Sequence, residues 1–269
     1  APQTLMALAQ TSLAATGYED MSLLSLSTGD YGCIVPLMEQ FMARFATDHV
    51  AISLPSLRAG TLTPELMELI KKVRKTGFTI APEAGSQRLR DVINKNITET
   101  EIAETVTDAF RLGWRVIKLY FMIGLPTETH ADLRAIVDLV KRLRRIKVSG
   151  RKPGKINVSV ATFIPKPHTP FQWAPQNTLA ESRAKISWLK KQLALPGIQF
   201  KWQNPEVSLI EGLWARGDRS LSDLLVLAHQ KGCKFDGWSD KFRFDLWQQA
   251  ISEAGIDAEF ITVRKRDVS

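Results

Sequence analysis

Five short clusters in the 269-residue sequence combine glycine, hydroxyl, carboxylate and basic residues in ways that suit ligand binding. In Ser27-Thr28-Gly29-Asp30-Tyr31 a glycine permits a tight turn and the Asp30 carboxylate can accept hydrogen bonds from a ligand ammonium. An ordinary turn with Asp30 as a helix cap is the simpler account. Ser53-Leu54-Pro55-Ser56-Leu57-Arg58 offers hydroxyls and a guanidinium to a carboxylate or phosphate, although Ser56 also suits a helix cap. Ala81-Pro82-Glu83-Ala84-Gly85-Ser86-Gln87-Arg88 is followed by Asn94-Lys95. A carboxylate directly after a buried strand costs desolvation unless something pairs with it, so Glu83 is expected to meet either a ligand hydroxyl or Arg88. Ile123-Gly124-Leu125-Pro126 places a glycine where a flat ring can approach the backbone. Phe163-Ile164-Pro165-Lys166-Pro167-His168-Thr169-Pro170 is a rigid, proline-spaced segment, and His168 in it has neither a nucleophile nor a carboxylate at partner spacing. Cys33 and Cys233 are too far apart in sequence for a local metal-ligand pair, and no phosphate loop or nucleophile elbow is present.

The elements that must position these clusters alternate in period. Strand-like runs fall at Met21–Ser27, His49–Leu54, Phe78–Ala81, Arg115–Met122 and Lys155–Ile164, with helical patterns in the gaps. Thr98 and Glu101 form a capping box ahead of the stripe Ile102, Val106, Ala109 and Phe110, and Thr129 opens a helix carrying Leu133, Ile136, Val137 and Val140. This β-α order predicts an α/β fold with a parallel sheet, most of the wall of a (β/α) barrel, with ligands at the C-terminal strand ends. The chain opens on a helix, Thr4–Ala15, so at least one βα unit is expected to precede it. The barrel part is expected over residues 1–175. Residues 176–269, mainly helical and holding Trp188, Trp202, Trp214, Trp238 and Trp247, form an extension in which the tryptophans are expected as core and interface anchors. Arg216–Arg219 reads as a turn with surface ion pairs, and Cys233 as a buried, inert thiol.

An apolar share of 44% and a charged share of 24% are ordinary globular usage and exclude disorder. No apolar run is long enough to span a membrane and no signal-peptide pattern opens the chain, which reads as cytoplasmic. The net charge of +8 would favour an anionic partner such as RNA, but no nucleic-acid recognition motif accompanies it.

Together the clusters resemble the radical S-adenosylmethionine (SAM) superfamily, in particular the branch of tRNA methylthiotransferases and the Elongator catalytic subunit. The run from Ile80 to Leu89 with Asn94, Lys95 and Thr98 is similar to that branch's fourth-strand signature. Ile123–Thr129 resembles its fifth-strand motif, and Pro165–Pro170 its sixth-strand ending. Thr16–Glu19, Leu23–Ser27, Leu54–Arg58, Lys118–Met122 and Gly232–Trp238 look like phrases of radical SAM proteins that carry a cobalamin-binding domain. The resemblance implies a TIM-like partial barrel with a family-specific extension. It also implies a 4Fe-4S cluster, a 5′-deoxyadenosyl radical, an electron donor such as flavodoxin or ferredoxin, and cobalamin-assisted methyl transfer or related chemistry on an unknown substrate. Thr28, Gly29 and Asp30 stand where the family holds the methionine ammonium of SAM, Glu83 at the ribose hydroxyls, Lys95 at the carboxylate, and Ile123 and Gly124 at the adenine. Ser53 and Arg58 lie on a strand lining the same pocket. The family's three clustered cysteines are absent, so the cluster ligands are expected outside this chain, which alone is expected to be inactive. Two other classes stay open: a noncatalytic RNA- or protein-binding module, and a barrel hydrolase or aldolase using Lys118.

Overall fold

The computed structural model describes residues 2–25, 28–45, 47–53, 64–73, 78–150 and 153–266. The chain runs through α1 (Pro2–Thr16), β1 (Asp20–Ser22), a 3-10 turn at Thr28–Asp30, α2 (Ile34–Phe45), β2 (Ala51–Ser53) and α3 (Pro64–Val73). Then come β3 (Phe78–Glu83), α4 (Gln87–Val92), α5 (Glu99–Leu112), β4 (Val116–Ile123), α6 (His130–Arg144), β5 (Lys155–Thr162), α7 (Leu179–Gln192) and β6 (Ile198–Trp202). The helices α8 (Pro205–Arg216), α9 (Ser222–Gln230), α10 (Phe244–Glu253) and α11 (Ala258–Val263) complete it.

All strand pairings are parallel, as a β-α order requires when each return crosses over through a helix. In place of one continuous barrel wall the described residues form two ladders, β1 with β2 and β3-β4-β5-β6, with no ladder joining β2 to β3 among them. The first two strands are shorter than their hydropathy suggests. His49 turns at φ +56°, outside the extended region, so β2 begins only at Ala51.

Burial alternates strictly along β4 and β5. Ile117, Leu119, Phe121 and Ile123, with Ile156, Val158 and Val160, pack in one core with Ile102, Val106 and Ala109 of α5 and with Leu133, Ile136, Val137 and Val140 of α6. The capping boxes at Thr98 and Thr129 are both formed, and so start α5 and α6 where the sheet needs them.

The extension differs from expectation in three respects. Its strand β6, with Gln199 and Lys201 at alternate positions, lacked a recognisable hydrophobic run, yet it pairs with β5 and carries the sheet past residue 175. Of its tryptophans only Trp247 is buried, while Trp202, Trp214 and Trp238 are exposed and Trp188 is half-buried, so anchoring falls chiefly to Ile210, Leu213, Leu221 and Leu224. Arg216 is no surface residue. Its buried guanidinium donates to the carbonyls of Gln172, Ala174, Ile261 and Arg264, tying α8 to the β5–α7 connection and to the C-terminus. Cys233 is buried in the core of these helices, and burial raises its thiol pKa.

Candidate functional site

The register of the larger sheet sets Glu83 level with Phe121, and Ile123 level with Thr162. The ends of β3, β4 and β5 therefore share one edge, with Glu83, Met122–Gly124 and Thr162–Ile164 along it. Glu83 stands at φ +66° beyond a break in the β3 ladder, a costly conformation for a residue other than glycine. Its carboxylate accepts from Lys95 Nζ at 3.3 Å, both side chains being partly exposed. Lys95 is set by the backbone. Asn94 turns at φ +54°, and Lys95 N then donates to Arg90 O at 2.8 Å.

Arg90 holds this loop from inside. Its guanidinium, 0% exposed, donates to the carbonyls of Ile97, Ala84 and Gly85 and to Gln87 Oε1, with no carboxylate among these partners, and burial lowers its pKa. Arg88 does not turn toward Glu83, one of the two partners expected for that carboxylate. It pairs instead with Asp132 of α6 and with Thr127. Asp132, 4% exposed, also accepts from Ser86 Oγ, from Thr129 N at 2.8 Å and from Thr129 Oγ1 at 2.6 Å. It clamps the loop after β3 to the loop after β4. Burial alone would raise the Asp132 pKa, but the bonds from Arg88, Ser86 and Thr129 outweigh it and hold the carboxyl well below the usual range.

That shift predicts a pH dependence. With the folded value below the unfolded value of about 3.9, the clamp is fully stabilising above about pH 5 and fades as pH falls toward the folded value. Asp132→Asn is expected to cost about 3 kcal/mol at pH 7, because a neutral amide loses the charge-assisted bonds that Arg88, Ser86 and Thr129 make to the buried carboxylate, and clearly less at pH 3. Urea unfolding at both pH values checks this, and an equal loss at both would contradict it.

The other expected residues are placed as follows. Thr28 is buried and its hydroxyl is engaged locally, with Ser25 Oγ at 3.2 Å and Leu23 O at 3.3 Å, while Gly29 and Asp30 complete the 3-10 turn. Ser53 ends β2, but its side chain, and Arg58 altogether, lie outside the described residues. Ile123 is wholly buried, with its side chain on the helix-facing side of β4, and the period of two turns Met122 to the open side. Gly124 has φ +80°, and a Cβ there would stand 2.5 Å from Asn177 Nδ2, so the close approach it permits is by Asn177. Asn177 in turn lies 3.4 Å from Lys185 Nζ, which pairs with the buried carboxylate of Glu128 at 2.7 Å.

Sequence reasoning missed Arg90, Asp132, Asn177 and Thr162. Asp132 had a signal, standing three residues after the cap Thr129. Thr162 Oγ1 is buried without a hydrogen-bond partner and lines a cavity of about 380 Å³ with Met122, Phe163, Ile164, Phe171, Gln203 and Glu211. Thr162 is level with buried Ile123, so its hydroxyl points to the helix-packed face and is an unsatisfied polar group of the core.

A parallel α/β chain whose loop-borne charges and cavity gather at the C-terminal strand ends has the layout of a strand-end ligand-binding protein. Residues 27–140 match the profile of the Radical SAM superfamily. The chain is also 38% identical over 222 residues, 82% of its length, to an uncharacterized protein of Methanocaldococcus jannaschii, and it spans 46% of that relative. Among the described residues no helix is long and apolar enough to cross a membrane.

The edge fits SAM chemically: Lys95 for a carboxylate, Glu83 for ribose hydroxyls, and Met122, Phe163 and Phe171 about the cavity for a flat ring. A 4Fe-4S cluster does not fit this chain. Cys33 is exposed beside α2 while Cys233 is buried in the core of the C-terminal helices, and among the described residues no three metal-ligating side chains converge.

Proposed function

We propose that this chain is the SAM-binding part of a radical SAM enzyme. The observation that carries the reading is the Glu83–Lys95 pair on the same strand-end edge as the cavity lined by Met122, Phe163 and Phe171, with Glu83 and Lys95 inside the matched segment. Lys95 supplies a fixed cation and Glu83 accepts from hydroxyls, while the share of Asp30, in the 3-10 turn after β1, in holding an ammonium rests on the sequence resemblance. Arg90 and Asp132 keep the two loops in place. Bound SAM would be the source of radical chemistry, and the share of these residues is binding, orientation and exclusion of water. The wider reading, cobalamin-assisted methyl transfer with a flavodoxin or ferredoxin as reductant, rests on the resemblance of sequence phrases. Uptake of cobalamin by the whole protein, read from its visible absorption, tests it.

The test of SAM binding is thermal unfolding of the whole protein. SAM at 100 times its dissociation constant stabilises by about 2.7 kcal/mol and raises the melting temperature measurably. A melting temperature indifferent to SAM at millimolar concentration rejects the proposal.

A further inference from the structure

Among the described residues the second face of the larger sheet is uncovered and polar. Register sets Thr79, Lys118, Asn157 and Gln199 in one row across β3 to β6, and Tyr120, Ser159 and Lys201 in the next row toward the C-terminal edge. Met122 and Ala161 follow at the rim, beside the cavity that Thr162 lines. Parallel sheets ordinarily bury both faces, and a filled barrel interior is made of branched apolar side chains. Here Lys118, Gln199 and Lys201 are exposed, Tyr120 is 44% exposed, and Asn157 and Ser159 are half-buried. Among the described residues none of these side chains has a hydrogen-bond or ion-pair partner.

The charge on this face has one sign. Strands β3 to β6 contain a single carboxylate, Glu83, which Lys95 already holds. Lys118 and Lys201 lie two strands apart and two residues offset, so their Cα atoms are about 12 Å apart by ordinary strand spacings. Two flexible four-carbon stems span that distance and let both ammoniums meet one oxyanion or the two ends of a longer one. Between them Tyr120 offers a ring face, and Asn157 and Ser159 offer neutral donors and acceptors.

We infer that this face binds the substrate, and that the substrate is a small molecule carrying a phosphate or carboxylate held between Lys118 and Lys201. As a substrate site it rests on the SAM-binding reading; as an oxyanion site it stands on the face alone. The test titrates inorganic pyrophosphate and citrate separately into the whole protein by calorimetry, which distinguishes phosphate from carboxylate recognition. Wild type is compared with Lys118→Gln/Lys201→Gln and with Lys147→Gln/Lys191→Gln, which removes the same charge from exposed positions elsewhere. One oxyanion is expected to bind wild type and the control alike and to bind the face variant roughly tenfold more weakly, the loss of charge-assisted bonds, while SAM affinity stays unchanged in all three. Equal weakening in both variants, no weakening in the face variant, or no binding of either oxyanion overturns the inference. So does tight, salt-sensitive binding of a single-stranded RNA that the face variant loses while pyrophosphate and citrate fail to bind. Oxyanion binding that behaves as expected in a protein that ignores SAM would leave the oxyanion site standing and remove the SAM reading.

Discussion

Arg90→Met is expected to destabilise the chain by about 3 kcal/mol or more and to abolish ligand binding at the strand-end edge. The native guanidinium is fully buried and donates to Ile97 O at 3.0 Å, Ala84 O at 3.1 Å, Gly85 O at 2.9 Å and Gln87 Oε1 at 3.0 Å. Methionine replaces much of its volume, so the cavity left is small. What is lost is the pairing of three main-chain carbonyls, each worth about 1–3 kcal/mol when stranded in a dry place. Lysine is expected to fail as well, because an ammonium cannot spread donors over that span. The same carbonyls fix the turn that carries Glu83 and Lys95, so stability and binding fall together. Arg88→Met should cost less, about 1–2 kcal/mol, because the buried Asp132 carboxylate loses one cation but keeps its bonds from Ser86 and Thr129. Urea midpoints rank the variants, and an Arg90→Met protein within 1 kcal/mol of wild type would contradict this account.

Glu83→Gln and Lys95→Gln are expected to separate binding from folding. Each should weaken SAM binding by roughly ten- to a hundredfold, the value of a charge-assisted hydrogen bond, with a change in stability under about 1 kcal/mol because the pair is partly exposed. A purely structural salt bridge would behave the other way, with a drop in stability and little change in SAM affinity. Equilibrium dialysis of labelled SAM beside urea unfolding distinguishes the two outcomes. Glutamine keeps the shape of Glu83 at its unusual φ of +66°, so the comparison removes charge without asking the backbone to move.

The α/β order and the parallel sheet were legible because β3, β4 and β5 are apolar runs between amphipathic helices whose Thr caps are written in sequence. Strand β6 was not legible. Its outward positions, Gln199 and Lys201, belong to the polar open face, and a five-residue strand with that alternation has too few apolar residues to stand out. In the site, Glu83 and Lys95 could be named from their place after a strand, but their mutual pairing depends on the left-handed turn at Asn94, which local sequence does not dictate. Ile123 was assigned to the ligand although the period of two along β4 puts Met122 on the open side. Arg90 carried no signal. A cation in the mostly polar helix Gln87–Val92 reads as surface until the carbonyls that bury it come from Ala84, Gly85 and Ile97, on either side of its own helix. The hydroxyl of Thr162 was hidden for the converse reason, since nothing in sequence shows that a buried threonine will end beside a cavity with no partner.

The central claim is that SAM binds at the shared edge of β3, β4 and β5. Amide hydrogen exchange of the whole protein with and without SAM tests it most directly. The account predicts protection concentrated in the loops at 83–95, 122–125 and 162–166, with little change in the helices α8 to α11. Protection confined to those C-terminal helices, or no change anywhere at saturating SAM, would contradict it.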